Sequence, residues 1–136
     1  MGGNNEGRTV DCSGGKLTLY GTNTDYYVTG HCGSLTVGGY SNTVRVESVD
    51  TVESTGYSNT VTVGACNNGA LTLSSYAIKF NVTGHCASLA ISSYSNNVTV
   101  DSVDTINVSG YDNVVTYHSG SPKIGDSGNN NSIHRG

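Results

Sequence analysis

The feature that most constrains this chain is the return of the same residue types every 17 to 19 positions. The clearest copies are Y-S-N-T-V-R-V from Tyr40, Y-S-N-T-V-T-V from Tyr57, Y-S-N-N-V-T-V from Tyr94 and Y-D-N-V-V-T-Y from Tyr111. Weaker copies place further coil starts at Asn4, Thr22, Tyr76 and Asn129. Such a period is the mark of a solenoid, where a unit too small to bury its own apolar face buries it against the next copy. A second period, of 54 residues, relates Cys12 to Cys66 and Cys32 to Cys86. Both halves also carry V-T-G-H-C (Val28 to Cys32, Val82 to Cys86) and S-V-D-T (Ser48 to Thr51, Ser102 to Thr105), so three coils form a duplicated unit.

Inside a coil the apolar residues alternate with polar ones, as in Val44 and Val46, Val61 and Val63, or Val98 and Val100. A second alternation follows: Leu17 and Leu19, Leu35 and Val37, Leu71 and Leu73, Leu89 and Ile91. This is the two-residue period of strands with one face buried and one wet. Gly38, Gly39, Ser74, Ser75, Ser92 and Ser93 supply corners between the runs. A β-sandwich also uses short strands and frequent turns, but gives no reason for a fixed period. The expected fold is an all-β solenoid of about seven coils, a single domain over residues 1–136.

Composition excludes several functions. Charged residues make up 12% and hydrophobic ones 35%, below the roughly 25% and 45–50% of globular domains. The ordered recurrence of β-branched residues argues against a disordered polar chain. A net charge of −4 with six scattered basic residues offers no surface for nucleic acid. No apolar stretch reaches the roughly 18 residues of a membrane-spanning helix. The opening Met-Gly-Gly-Asn-Asn-Glu has no apolar core of a signal peptide, so an exported chain is expected to have lost its signal already.

Stacked coils turn equivalent residues into columns. One column holds Asn42, Asn59, Asn96, Asn113 and Asn131, expected to form a ladder in which each amide bonds to the next and to corner backbone groups. Another holds Tyr40, Tyr57, Tyr76, Tyr94 and Tyr111, an aromatic ladder that doubles as the candidate binding surface. The four cysteines fall near one in-coil position, where adjacent coils about 5 Å apart suit disulfide geometry and a two-coil gap does not. The expected bonds are Cys12–Cys32 and Cys66–Cys86, each worth about 3 kcal/mol by loop closure and pointing to an oxidising compartment.

Metal binding through His31, Cys32, His85 and Cys86 is disfavoured, because neighbours on a strand point to opposite faces and no third and fourth ligand converge. Glu47, Asp50 and Glu53 in the third coil, with Asp101 and Asp104 in the sixth, are three coils apart, too far for paired acid–base work. Asp50 and Asp104 are expected in the cysteine column as turn residues. No Ser-His-Asp arrangement, phosphate loop or dinucleotide fingerprint is visible, so no catalytic residue, metal or cofactor is expected.

The coil motifs G-Y-S-N-T-V-T-V (from Gly56) and V-D-S-V-D-T-I-N-V-S-G-Y-D-N-V-V-T-Y (from Val100) resemble a bacterial family of secreted proteins and lipoproteins, domain of unknown function 3060. Its members repeat G-S-x-N-T-V-T-V coils with cysteines between them, and the likeness covers nearly the whole chain. The present chain departs by placing Tyr where small residues are usual. The resemblance implies an extracellular or cell-envelope setting, no known catalysis, and no site residue to carry over.

The expected function is therefore a non-enzymatic extracellular structural or adhesive module. One version assembles head to tail into filaments, since the segment from Asn129 nearly copies that from Asn4 and no capping helix is evident. The alternative is a carbohydrate- or surface-binding module that uses the Tyr column. Ice binding would need regular outward threonines, whereas those positions run Thr9, Tyr27, Arg45, Thr62, Asn81, Thr99 and Thr116.

Overall fold

The structure is a computed structural model that describes residues 7–12, 14–66 and 69–136. The coil start expected at Asn4 lies outside the described residues. Eleven strands follow in order: β1 (Gly7–Asp11), β2 (Lys16–Leu19), β3 (Asp25–Val37), β4 (Thr43–Ser54), β5 (Thr60–Val63), β6 (Ala70–Leu73), β7 (Lys79–Ile91), β8 (Asn97–Val108), β9 (Val114–Tyr117), β10 (Lys123–Asp126) and β11 (Ser132–Arg135). Every pairing among them is parallel, and each strand pairs with its counterpart one coil away. The chain is a β-solenoid of about seven turns.

The coils are not all alike. In β3, β4, β7 and β8 the two apolar runs join into one strand of 12 or 13 residues, whereas the first, fourth and seventh coils are split into β1/β2, β5/β6 and β9/β10. The three-coil period of the sequence is thus one split coil followed by two continuous ones. Where β3 and β7 bend, the register with the next strand shifts between Val28 and His31 and between Val82 and His85. Gly30 and Gly84 sit in these bulges at φ of 78° and 96°, a backbone region in which a side chain meets the adjacent carbonyl.

The core is a stack of Val, Leu and Ile columns, as the two-residue alternation requires. Tyr26 and Phe80, one in each half, are its largest buried side chains. Full burial of each such residue contributes about 1.5–3 kcal/mol. At the corner between coils a column of residues adopts left-handed backbone: Asn23, Ser41, Ser58, Ala77, Ser95, Asp112 and Asn130, all with φ between 50° and 58°. Directly beside it stand the tyrosines.

Candidate functional site

The five tyrosines form one continuous stack. Ring centroids of Tyr40, Tyr57, Tyr76, Tyr94 and Tyr111 follow each other at 5.2, 5.3, 5.0 and 4.9 Å, with planes within 10° of parallel. The rings keep 37–49% of their surface exposed, except for the half-buried Tyr94. Parallel stacking at the coil spacing has a chemical consequence. Each inner ring has a parallel ring on both sides, so its faces are turned to its neighbours and its edge and hydroxyl to water. A sugar that packs its C–H groups on an aromatic face finds no such face along the inside of this column.

The asparagines lie one position further in, and Asn42, Asn59, Asn96 and Asn113 are buried. Their bonding differs from an amide-to-amide ladder. Oδ1 of Asn42 accepts from the backbone N–H of Thr24 at 3.0 Å, Asn59 from Asn42 at 2.9 Å, Asn96 from Ile78 at 3.0 Å and Asn113 from Asn96 at 3.0 Å. The amide nitrogens donate to corner carbonyls, as from Asn42 to Gly21 and from Asn113 to Ser93. Only Asn113 also donates to the amide of the next column member, Asn131, at 3.1 Å. The physical reason is that a left-handed corner turns backbone N–H and C=O groups away from the sheet ladder, and the side chain satisfies them.

The cysteines pair as Cys12–Cys32 and Cys66–Cys86, with Cα separations of 5.3 and 5.4 Å. Each bond ties the loop of a split coil to the continuous strand stacked on it, where ladder hydrogen bonds are interrupted. Two such bonds fit an oxidising, extracellular environment.

Two acidic residues stand elsewhere than the coil period places them. Asp50 and Asp104 are not in the cysteine column, because Cys32 pairs with Val49 and Cys86 with Val103. They stand one residue on and face outward, where each meets a histidine. His31 Nε2 lies 3.0 Å from Asp50 Oδ1 and its Nδ1 lies 2.6 Å from Ser48 Oγ. His85 repeats this with Asp104 at 3.0 Å and Ser102 at 2.7 Å. A Ser-His-Asp relay therefore exists in each half, although none is visible in the sequence. The register explains why it escaped notice: the bulge at Gly30 or Gly84 sets His31 opposite Ser48 and His85 opposite Ser102, and S-x-D puts serine and aspartate on one side of the strand. With Nε2–H donating to the carboxylate, Nδ1 of a neutral ring accepts the serine hydroxyl. The histidine and aspartate side chains are 40–67% exposed, so water competes for every bond in the relay.

Of the other three, Glu53 stands exposed opposite Thr36, and Glu47 and Asp101 close the bulges. Glu47 Oε2 accepts from Gly30 N–H and Asp101 Oδ2 from Gly84 N–H, both at 2.9 Å. Asp101 Oδ1 also meets His118 Nδ1 at 3.1 Å. The Gly84 N–H, and then His118, hold the Asp101 carboxyl below the usual range of an aspartate. Among the described residues no three His, Cys, Asp or Glu side chains converge as a metal site.

Two consecutive stretches, residues 19–71 and 79–130, match the sequence profile of the family described as Protein of unknown function (DUF3060). The chain belongs to that family, and two successive matches are consistent with its internal duplication. No curated protein and no solved structure shows significant similarity to it.

Proposed function

We propose that this chain is a non-enzymatic extracellular module, a rigid structural or adhesive segment of a secreted or cell-envelope protein. The observation that carries this reading is where the repeated polar side chains are used. The asparagine amides close corners, the cysteines staple split coils, the carboxylates fill bulges, and the tyrosines stack on one another. The repeated chemistry holds one coil to the next. The Ser-His-Asp relays fit the same role: they recur at matching places in both halves and join adjacent strands across a bulge.

Against the head-to-tail version, the first and last described coils carry charges at inward positions. The first inward column begins with Arg8 and continues as Tyr26, Val44 and Val61. The next column ends with Arg135 above Tyr117 and Val100. On the second run of each coil, Asp126 stands above Val108 in an inward column. Charges at inward positions of an edge strand oppose pairing with a further strand.

Sedimentation at high concentration tests the assembly question, with a monomer expected. A fluorophosphonate probe tests the enzymatic one. Labelling of Ser48 or Ser102 that depends on His31 or His85 would overturn the non-enzymatic reading, and inert serines are the expected result.

A further inference from the structure

We propose that the outward face of the second and third coils, at Tyr27 and Arg45, binds one or two units of a neutral glycan. The inference rests on the reading above only for its extracellular setting. It moves carbohydrate binding away from the tyrosine column, whose inner ring faces are taken.

The outward position of the first run of each coil passes through Thr9, Tyr27, Arg45, Thr62, Asn81 and Thr99. The pleat asks of this position only a side chain that tolerates water in extended backbone, and threonine meets that demand. The second half is built with Asn81 and Thr99 where the first half has Tyr27 and Arg45. The ring and the guanidinium are therefore additions that the scaffold does not require.

Two surface grooves meet at these residues. One, of about 260 Å³, is lined by Tyr27, Arg45, Glu47 and Thr62 among others. The second, of about 360 Å³, includes Asp25, Thr43 and again Tyr27 and Arg45 in its walls. Each is at or below the small end of organic-ligand sites, roughly 300–1,000 Å³, and holds about one sugar ring. Tyr27 is 46% exposed, and among the described residues no ring stacks on it. It is as exposed as the column tyrosines, and its coil neighbours Thr9 and Arg45 are not aromatic.

The polar lining selects the ligand class. Arg45 and, in the larger groove, Arg8 bring only donors, Asp25 and Glu47 only acceptors, and Thr43 and Thr62 both. Glu47 already accepts from Gly30 N–H through Oε2, which leaves Oε1 for a ligand. Among the described residues Arg45 makes no ion pair. A carboxylate or phosphate ligand would gain from Arg45 and Arg8 but be repelled by Asp25 and Glu47. A polyol satisfies both kinds of group, through hydroxyls that donate to the carboxylates and accept from the guanidinium.

The test is an NMR titration of the isotope-labelled chain with cellotetraose, chitotetraose and mannotetraose, with tetragalacturonate as the anionic comparison. At least one neutral oligosaccharide is expected to shift the amides around residues 9, 27, 45 and 62, with no such response to tetragalacturonate. Tyr27→Asn and Arg45→Thr introduce the residues of the second half, and each is expected to weaken binding at least about tenfold, or about 1.4 kcal/mol. The same spectra report whether each variant is folded, and the two variants test the site independently. The proposal is overturned by silence with all three neutral sugars, by shifts confined to the Tyr40 to Tyr111 column, by binding that both variants leave intact, or by preference for tetragalacturonate. None of these outcomes alters the sedimentation or serine-labelling results, so failure here is distinguishable from failure of the structural reading.

Discussion

The two halves of the solenoid are alike in the contacts that join coils and unlike on the outward face of their sheets. Disulfides span 20 residues in both, with Cα distances that differ by a tenth of an ångström. The histidine relays agree just as closely, and Gly30 and Gly84 are held by a carboxylate at the same distance. Even the large core residue is matched, Tyr26 by Phe80. Outside, Asp25 is answered by Lys79, Tyr27 by Asn81 and Arg45 by Thr99. A parallel sheet with one wet face constrains its outward side chains weakly and its inter-coil bonds strongly. The matched positions thus mark the scaffold, and the unmatched ones mark where the surface is open to a particular role.

If the matched contacts are the scaffold, their removal should be costly, and most costly away from the ends. The double variant Cys66→Ala, Cys86→Ala is expected to lose about 3 kcal/mol, the loop-closure value for about 20 residues. Cys66 and Cys86 are both fully buried between other coils. Cys12→Ala, Cys32→Ala opens a loop of the same length but frees the first described coil, where Cys12 is half-buried, to open by itself. Its loss in urea unfolding should be smaller, with a lower slope. Equal losses would mean that the halves do not differ in their exposure to fraying. Next in size is the asparagine column. Asn96 donates to Ser75 C=O at 3.0 Å and to Ser93 Oγ at 3.2 Å, whereas the donor bonds of Asn59, to Gly38 and Gly39, are both 3.4 Å. Asn96→Ala is expected to cost about 2–3 kcal/mol and Asn59→Ala about 1–2, since each leaves buried corner groups without a partner. Chemical denaturation of the two variants under one condition checks the order.

Much of this architecture was legible in the sequence because it is written at a fixed period. The 18-residue return located the coils, the 54-residue return located the duplication, and the cysteine spacing left one pairing compatible with neighbouring coils. What the period could not convey was anything that depends on a shift out of register. Gly30 and Gly84 insert a bulge, and that one-residue adjustment moves His31 opposite Ser48 and sets Val49, not Asp50, beside Cys32. Column reasoning assumes constant spacing, so it misplaced Asp50 and Asp104 and overlooked both relays. The tyrosines posed a different difficulty. Their column could be read from the sequence, but whether their faces or edges meet water depends on ring orientation, which side-chain torsions decide. Tyr27 and Arg45 were visible only as irregularities in an outward row, and acquired meaning once the two grooves were seen to share them.

The smallest expected effect concerns a difference inside the scaffold. Beside Asp101 stands His118, and the equivalent position beside Glu47, 54 residues earlier, is Gly64. Asp101 keeps its proton less readily in the folded chain than in the unfolded one, first through Gly84 N–H and then through His118. A depressed folded-state value means that the unfolded chain binds more protons as the solution is acidified. The contribution of Asp101 is therefore present above the ordinary aspartate value of 3.8 and lost as pH falls through the lower folded value. Asp101→Asn should consequently be less stable than the parent at neutral pH, and the gap should close in acid. Its size should stay below about 1 kcal/mol, because water screens a half-exposed pair. His118→Gly, which introduces the glycine of the equivalent position, should remove part of that gap and leave the Gly84 contact in place. Thermal unfolding of the parent and both variants from neutral pH to about pH 2 reads the effect. A gap that widens in acid would show that the Asp101 carboxylate is not what holds this bulge, and would remove this distinction between the two equivalent bulges.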